Sequence, residues 1–280
     1  MIENLCLLAS PDVPTENVDT LASIAVEKWR DGCCLATSDY VAEEVPVALE
    51  YNGISHAVML ATPSDLEDFA LGFSLTEGIL SAPSELYSCE ISGDRDGVRV
   101  ELTISSERLF ALKDRRRSLT GRTGCGLCGT ETLAQAIRIP ALVESQARFS
   151  AIVLYAAFAQ MEKNQLLQHK TGATHAAAWL AADGQVTLVR EDIGRHNALD
   201  KLIGALHRGK VDVSKGAAIV TSRASYEMAQ KAASAGIGIL AAVSAPTALA
   251  VRVAQATRMT LVGFVRKNGH VVYTHAQRIV

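Results

Sequence analysis

The sequence predicts an α/β protein, α+β overall, in which a three-layer α/β/α unit follows a smaller α+β unit. Three observations carry that expectation. From about residue 150 onward, β-prone runs alternate with helical runs of about 10–15 residues, the pattern of βαβ units on a largely parallel sheet. Ahead of them, residues 45–60 read as two strands joined by Asn52-Gly53, a strong hairpin signal. Between the two regions lies RRRSLTGRTGCGLCGTETL, residues 115–133, dense in arginine and glycine.

The elements follow in order. Residues 1–20 are polar, carry Pro11 and Pro14, and are expected to be a mobile leader. The small unit spans 21–115. After its hairpin a helix is expected, with Ser64 and Glu67 as a capping box, Phe69, Leu71, Phe73 and Leu75 among its apolar positions, and Gly78 as its stop. Strands near 87–92 and 98–104 flank the turn GDRDG, and SSERLFALKDRRR reads as a short helix. A loop and linker helix occupy 116–149. The large unit, 150–280, opens with a helix over 151–168. Strands over 176–181 and 186–190 follow, joined by Asp183-Gly184. Then come a helix over 197–207, a strand over 217–221, a helix over 226–234, a strand over 237–243 and a helix over 247–256. Strands over 261–265 and 271–275 close the chain. Frequent alanine in these helices suits close packing on a sheet.

Composition narrows the function. With 27 Lys+Arg against 30 Asp+Glu in 280 residues, the net charge is -3, too balanced for general nucleic-acid binding. A local basic pocket is compatible with that balance. Hydrophobic residues at 49% and charged residues at 20% exclude disorder and collagen-like architecture. The longest apolar runs, 151–159 and 237–243, are too short to span a bilayer. The N-terminus lacks the basic region of a secretory signal, so a soluble cytoplasmic protein is expected.

Six cysteines sit at 6, 33, 34, 89, 125 and 128, which is no disulfide framework. Cys6, Cys33, Cys34 and Cys89 read as packing residues or surface thiols, and Trp29 and Trp179 as packing residues. Cys125 and Cys128 differ: Gly124, Gly126 and Gly129 bracket them, and Thr130 could cap a helix starting at Glu131. Amides at such a helix end, with Arg115, Arg116, Arg117 and Arg122 nearby, favour thiolate. Four readings compete. Half of a structural zinc site would need two further ligands, and no cysteine follows Cys128. A thioredoxin-type dithiol would follow the first strand of a small βαβ domain rather than sit between two units. A zinc deaminase would need an H-x-E, which the chain lacks. A sulfur relay suits an exposed glycine-rich loop. The residues alone leave the choice open.

Arg195 and His196 stand where a strand gives way to a helix, as do Ser222, Arg223 and Ser225, beyond the carboxyl ends of the strands. There they serve as ligand contacts or as helix caps. The arginine run 115–117 is a solvated helix end or a docking site.

TGRTGCGLCG (120–129), EDIGRHNALDKLIG (191–204), SRASYEMAQKA (222–232), SAPTALAV (244–251) and GFVRKNGHVVYTH (263–275) together closely resemble the FdhD family, accessory sulfurtransferases required for formate dehydrogenase activity. TPSDLEDFALGFSLTEGIL (62–80) extends the resemblance over nearly the whole chain. One departure is Ala173 in TGATHAA, where the family pattern has glycine. The resemblance implies a homodimeric sulfur carrier with no resident metal. Sulfur would come from a cysteine desulfurase as a persulfide on Cys125, with Cys128 assisting relay or release. Its destination would be the bis(molybdopterin guanine dinucleotide) molybdenum cofactor, before that cofactor enters formate dehydrogenase. Phe264, Val265, Arg266, Lys267, Asn268 and Gly269 match the family's cofactor-contacting stretch. Arg266 and Lys267 suit phosphate, Phe264 suits stacking on guanine or pterin, and GDP is the natural analogue. The large unit would resemble the cytidine-deaminase fold without its zinc site. The alternative is a cofactor-binding chaperone with a structural zinc or redox C-x-x-C and no sulfur transfer. Nucleic acid and membranes are not expected partners.

Overall fold

The computed structural model describes residues 19–94, 96–117 and 137–280. Its small unit is a four-stranded sheet packed with two helices around one apolar core. Asn52 and Gly53 turn at φ 48 and 76, the paired positive values of a tight hairpin, between β3 (Val45–Tyr51) and β4 (Ile54–Ala61). β5 (Leu86–Asp94) and β6 (Gly97–Ile104) complete the order β4-β3-β6-β5, with β3 and β6 parallel. Val98, Val100, Leu102 and Ile104 alternate inward from β6 and meet Phe69 and Phe73 of α1 (Leu66–Thr76). α2 (Ser106–Arg117) follows β6.

α1 ends as expected: Gly78 at φ 68 donates to Leu75 O, and Ile79 N to Ser74 O. Its start differs. No capping box forms; the N-cap is Asp65, in the left-handed region at φ 52 and without a side-chain cap bond. The Asp65 carboxylate lies 3.4 Å from Arg190, so an ion pair with the large unit replaces the cap.

Ahead of the small sheet lies a ribbon that the apolar pattern does not announce. β1 (Leu21–Arg30) and β2 (Cys33–Ala42) pair over their full length around Asp31-Gly32, at φ 49 and 80. Trp29 is not a packing residue there, being 66% exposed, and Cys33 and Cys34 are exposed thiols.

The large unit is one six-stranded sheet in the order β12-β11-β10-β9-β7-β8. Its strands are β7 (His175–Leu180), β8 (Val186–Asp192), β9 (Ala217–Val220), β10 (Ile239–Ala242), β11 (Thr260–Arg266) and β12 (Gly269–Thr274). Only the β9–β10 and β10–β11 pairings are parallel; the other three are antiparallel, so the sheet is mixed rather than largely parallel. Short links explain it. Asp183-Gly184 and Lys267-Asn268 join neighbours by tight turns, and a parallel pairing needs a crossover of a dozen residues or more.

α3 (Ala151–Lys163) covers one face through Leu154, Ala157 and Met161. α5 (Arg195–Arg208), α6 (Tyr226–Ser234) and α7 (Ala248–Ala256) cover the other, over a core that includes Trp179. The helix expected over 151–168 breaks at Asn164, and α4 (Leu166–Thr171) points elsewhere. Glu191 redirects it: its carboxylate accepts from Leu167 N at 2.9 Å and Gln168 N at 2.8 Å.

The two units meet where α1 crosses α5. A Cβ on Gly72 would lie 1.8 Å from Asp200 O, and one on Gly204 1.9 Å from Asp68 O. Backbone therefore touches backbone, and no side chain fits between. Gly204→Ala should cost about 3 kcal/mol or more in urea unfolding, because both helices must part. Gly269→Ala, with nothing within 4 Å of its Cβ, should stay within about 0.5 kcal/mol.

Candidate functional site

Chain direction collects the candidate residues. β8 and β9 both run antiparallel to β7, and β10 and β11 run parallel to β9. The carboxyl ends of β8, β9, β10 and β11 therefore share one edge of the sheet, and α5, α6 and α7 each begin there. Helix N-termini present unpaired amides and a positive dipole end, which favour anions.

The junctions on this edge are tied together. Beyond β9 and β10, Ala224 bridges to Pro246, and Thr247 N donates to Ala224 O at 3.1 Å. Phe264 N donates to Ser244 O at 3.3 Å, and a Cβ on Gly263 would meet Pro246 at 2.9 Å, so only glycine lets β11 lie this close. The tie twists β11: its register shifts between Gly263 and Arg266, and Phe264 takes φ 53. A phenylalanine held at positive φ is uncommon, and here its ring is 44% exposed at the edge.

Of the residues expected to contact a cofactor, Phe264, Arg266, Lys267 and Asn268 are exposed and Gly269 is half-buried. Val265 is different: it is buried in the core beneath α3 and offers no side chain to a ligand. Arg266 already donates to Val243 O and Val265 O, which fixes its guanidinium against the β10 loop.

Arg195, His196, Ser222 and Arg223 reach the same edge. Ser222 is buried and donates to the carbonyl of Arg223, whereas Arg223 is exposed. Arg195 Nε and Ser225 Oγ are shielded from solvent without a hydrogen-bond partner. Two residues that sequence reasoning missed complete the group. Glu227 Oε2 lies 2.7 Å from His196 Nε2, joining the starts of α5 and α6, close without being aligned as a hydrogen bond. The contact with His196 holds Glu227 below the usual carboxylate range against the opposing effect of burial. His175 opens β7 opposite Asp192, and burial, then Arg195 and His196, push its imidazole pKa down. The altered TGATHAA stretch was the available signal for His175; for Glu227 only its place in a helix's first turn was visible.

One carboxylate shapes the approach. Asp192, at the end of β8, accepts from Gly194 N at 2.7 Å and Asn197 Nδ2 at 3.0 Å, which sets the turn into α5. It also accepts from Thr62 N at 3.1 Å and pairs with the fully buried Lys201 at 2.7 Å. Burial lowers the Lys201 pKa, and Asp192 opposes that effect. Cys125, Cys128, Arg122 and Thr130 lie outside the described residues, as do most of the expected leader and the side chains of Arg115, Arg116 and Arg117. Cys89 lies in the small unit, and burial raises its thiol to about 11, away from thiolate chemistry.

At the far end of α5, burial lowers His207 as it does His175. Each takes up a proton more readily unfolded than folded. Their stabilising contribution is complete above the ordinary imidazole value of 6.5 and is lost as pH falls below it. The urea midpoint should therefore drop between pH 7 and pH 5, and His207→Gln should flatten that drop.

A family model described as the FdhD/NarQ family matches residues 42–280. Among similar proteins, the sulfur carrier protein FdhD of Cupriavidus necator is 63% identical over 260 residues, covering 93% of this chain and 90% of its own. The sulfur carrier protein FdhD of Bordetella petrii is 54% identical, covering 95% and 96%. Among solved structures, a protein described as a formate dehydrogenase accessory protein from Desulfotalea psychrophila superposes with a TM-score of 0.74 at 22% identity. It covers 94% of this chain and all of its own. At that identity the likeness concerns the fold.

Proposed function

We propose a function from one premise: the chain belongs to the FdhD/NarQ family. It acts as a sulfur carrier, the role named for relatives more than half identical to it over nine-tenths of its length. In the finer reading, Cys125 thiolate attacks the outer sulfur of a cysteine desulfurase persulfide. A new S–S bond forms at Cys125, the old one breaks, and the desulfurase cysteine leaves as thiolate, with no net change in oxidation. For release, Cys128 thiolate attacks the inner sulfur. A Cys125–Cys128 disulfide forms, and the outer sulfur leaves as hydrosulfide with the two electrons the thiols give up. The bis(molybdopterin guanine dinucleotide) cofactor is the acceptor, in the cytoplasm, before it enters formate dehydrogenase.

The observation that supports this reading is where the chain re-enters the described structure after the cysteine pair. Arg138, ten residues beyond Cys128, is held against the first turn of α6, on the edge that gathers Arg195, Arg223 and Arg266. An anionic dinucleotide cofactor suits that edge. Phosphates would face the helix N-termini and Arg266 with Lys267, and the ring of Phe264 offers a stacking face. Incubation with a cysteine desulfurase and cysteine should add the mass of one sulfur atom to the protein, and Cys125→Ala should abolish it. Equal loading of Cys125→Ala, with formate dehydrogenase still activated, overturns the assignment. In that case stoichiometric zinc in the purified protein would mark a metal-stapled chaperone.

A second copy of the chain is proposed to cover the β1–β2 ribbon. Ile24, Trp29, Leu35 and Tyr40 are 46–66% exposed on a two-stranded ribbon, a structure only marginally stable alone. No helix among the described residues is long and apolar enough to cross a membrane. Light scattering should report a dimer for the full chain and a monomer for Trp29→Glu combined with Leu35→Glu; an unchanged mass for the double variant removes the ribbon as the contact.

A further inference from the structure

The edge strand β12 carries an apolar patch that neither face of the large sheet absorbs. Val271 and Tyr273 are 45% and 36% exposed there, and Phe264 is exposed on the neighbouring β11. Large apolar side chains left bare at one spot mark a contact site.

Their clustering follows from the break in β11. In a regular strand successive side chains point to opposite faces, so Val262 and Val265 should part. Both instead lie in the core beneath α3, while Leu261 lies in the core on the other face. One residue too many therefore stands between them, where the register to β12 shifts. The inserted residue is Phe264, and its positive φ turns it, together with Gly263, away from the α3 face.

Gly263 places the second ring. A Cβ at this position would lie 2.9 Å from Pro246 Cδ and 3.1 Å from Tyr273 Cε2. The Tyr273 ring thus reaches across the strand pair to the Gly263 backbone, beside the proline that precedes the Thr247 cap of α7. Phe264 is the next residue along β11, its Cα about 3.8 Å from that of Gly263. The two rings are neighbours on one face.

Charge adjoins the patch. Arg266 and Lys267 are exposed just beyond Phe264, and the carbonyls of Val243 and Val265 hold the Arg266 guanidinium. A purely apolar partner would leave these cations unused, and a bare phosphate would leave the rings uncovered. A flat heterocycle that carries phosphate uses both.

We propose that Tyr273 and Phe264 form one aromatic shelf, which selects a two-ring heterocycle on a phosphate-bearing ligand over a one-ring heterocycle. This rests on the cofactor reading above and names the residue that sets specificity within it. A purine or pterin covers both side chains while its phosphates face Arg266 and Lys267. A pyrimidine covers one. Phe264 alone accepts either, and Tyr273 tells them apart.

Calorimetry on the full chain with GDP, CDP and inorganic pyrophosphate tests the shelf. The wild type should bind GDP about fivefold more tightly than CDP, or better, the factor that one further stacking contact supplies. Tyr273→Leu keeps an apolar side chain beside Pro246 and removes the ring. It should lower GDP affinity by about fivefold or more while CDP and pyrophosphate change by less than about twofold. Tyr273→Phe, which keeps the ring, should restore GDP binding. Undiminished GDP affinity in Tyr273→Leu overturns the proposal, because bulk and not a ring would then suffice. An equal loss for GDP and CDP overturns it as well, since the substitution would then disturb the edge as a whole. So does a wild type that binds both nucleotides alike. A wild type that binds none of the three probes sinks the cofactor reading and the shelf with it, whereas failure confined to Tyr273→Leu leaves that reading standing.

Discussion

Two glycines set the spacing on which the rest of the molecule depends. At the crossing of α1 and α5, Gly72 meets the carbonyl of Asp200, and Gly204 meets the carbonyl of Asp68, with no room for a methyl group. Such an approach brings the side chains next to the glycines across the boundary as well. Asp68, from α1, receives Arg190 at 2.8 Å and Arg208 at 2.9 Å from the large unit. Asp200, from α5, receives Thr76 Oγ1 at 2.8 Å from α1 and Lys231 at 2.9 Å from α6. Were the helices held apart by larger residues, these partners would separate and leave charges buried without company, at several kcal/mol each.

A buried ion pair adds little net stability over an apolar pair of similar volume, because desolvation offsets the attraction. What these pairs contribute is read from their directions. Burial works against the charge on Lys231, yet Asp200 and Glu77 outweigh it and raise its pKa, keeping the ammonium as a rigid junction of three helices. Lys201 donates to Thr62 O at 2.9 Å while pairing with Asp192, so the end of β4 and the end of β8 share one cation. Asn197 adds a bond to Leu60 O at 2.9 Å. Through Asp192 this seam fixes the turn that launches α5, and with it the placement of Arg195 and His196 on the carboxyl edge. The unit that carries no candidate cofactor contact thereby holds those contacts in place.

Much of this was legible in the sequence, for physical reasons that differ by element. The hairpin at Asn52-Gly53 and the helices over 226–234 and 247–256 follow from local chemistry: turn residues that tolerate positive φ, a Thr247 cap that accepts from Ala250 N, and alanine-rich faces. Asp31-Gly32 carried the same kind of signal as Asn52-Gly53, but the flanking strands lack a clean alternation because nearly every position of that ribbon is exposed or only half-buried. Errors fell where a distant partner overrides a local preference. Ser64 would have capped α1 had Arg190 not drawn in Asp65, and 151–168 would have run as one helix had Glu191 not captured the amides at 167 and 168. For the site, the cationic edge followed from strand-to-helix junctions and family motifs. Glu227, His175 and the grip on Arg138 did not, since each arises from contacts between residues 17 to 88 positions apart.

The seam also changes what the net charge of -3 means. Asp68, Asp192 and Asp200 count fully in that sum, yet all three are buried and paired at contact with Arg190, Arg208, Lys201 and Lys231, which count in it with the opposite sign. Charges that cancel at contact project almost no field beyond a Debye length. The balance a ligand meets is therefore local, and on the carboxyl edge Arg223, Arg266 and Lys267 are exposed beside three helix N-termini. A chain that is slightly acidic as a whole can attract a polyphosphate to one edge because the exposed cations there, not the sum over the chain, set the local field. The glycine crossing lets those acids reach their partners, so neither the acids nor the cations they hold set the field that a ligand meets at that edge.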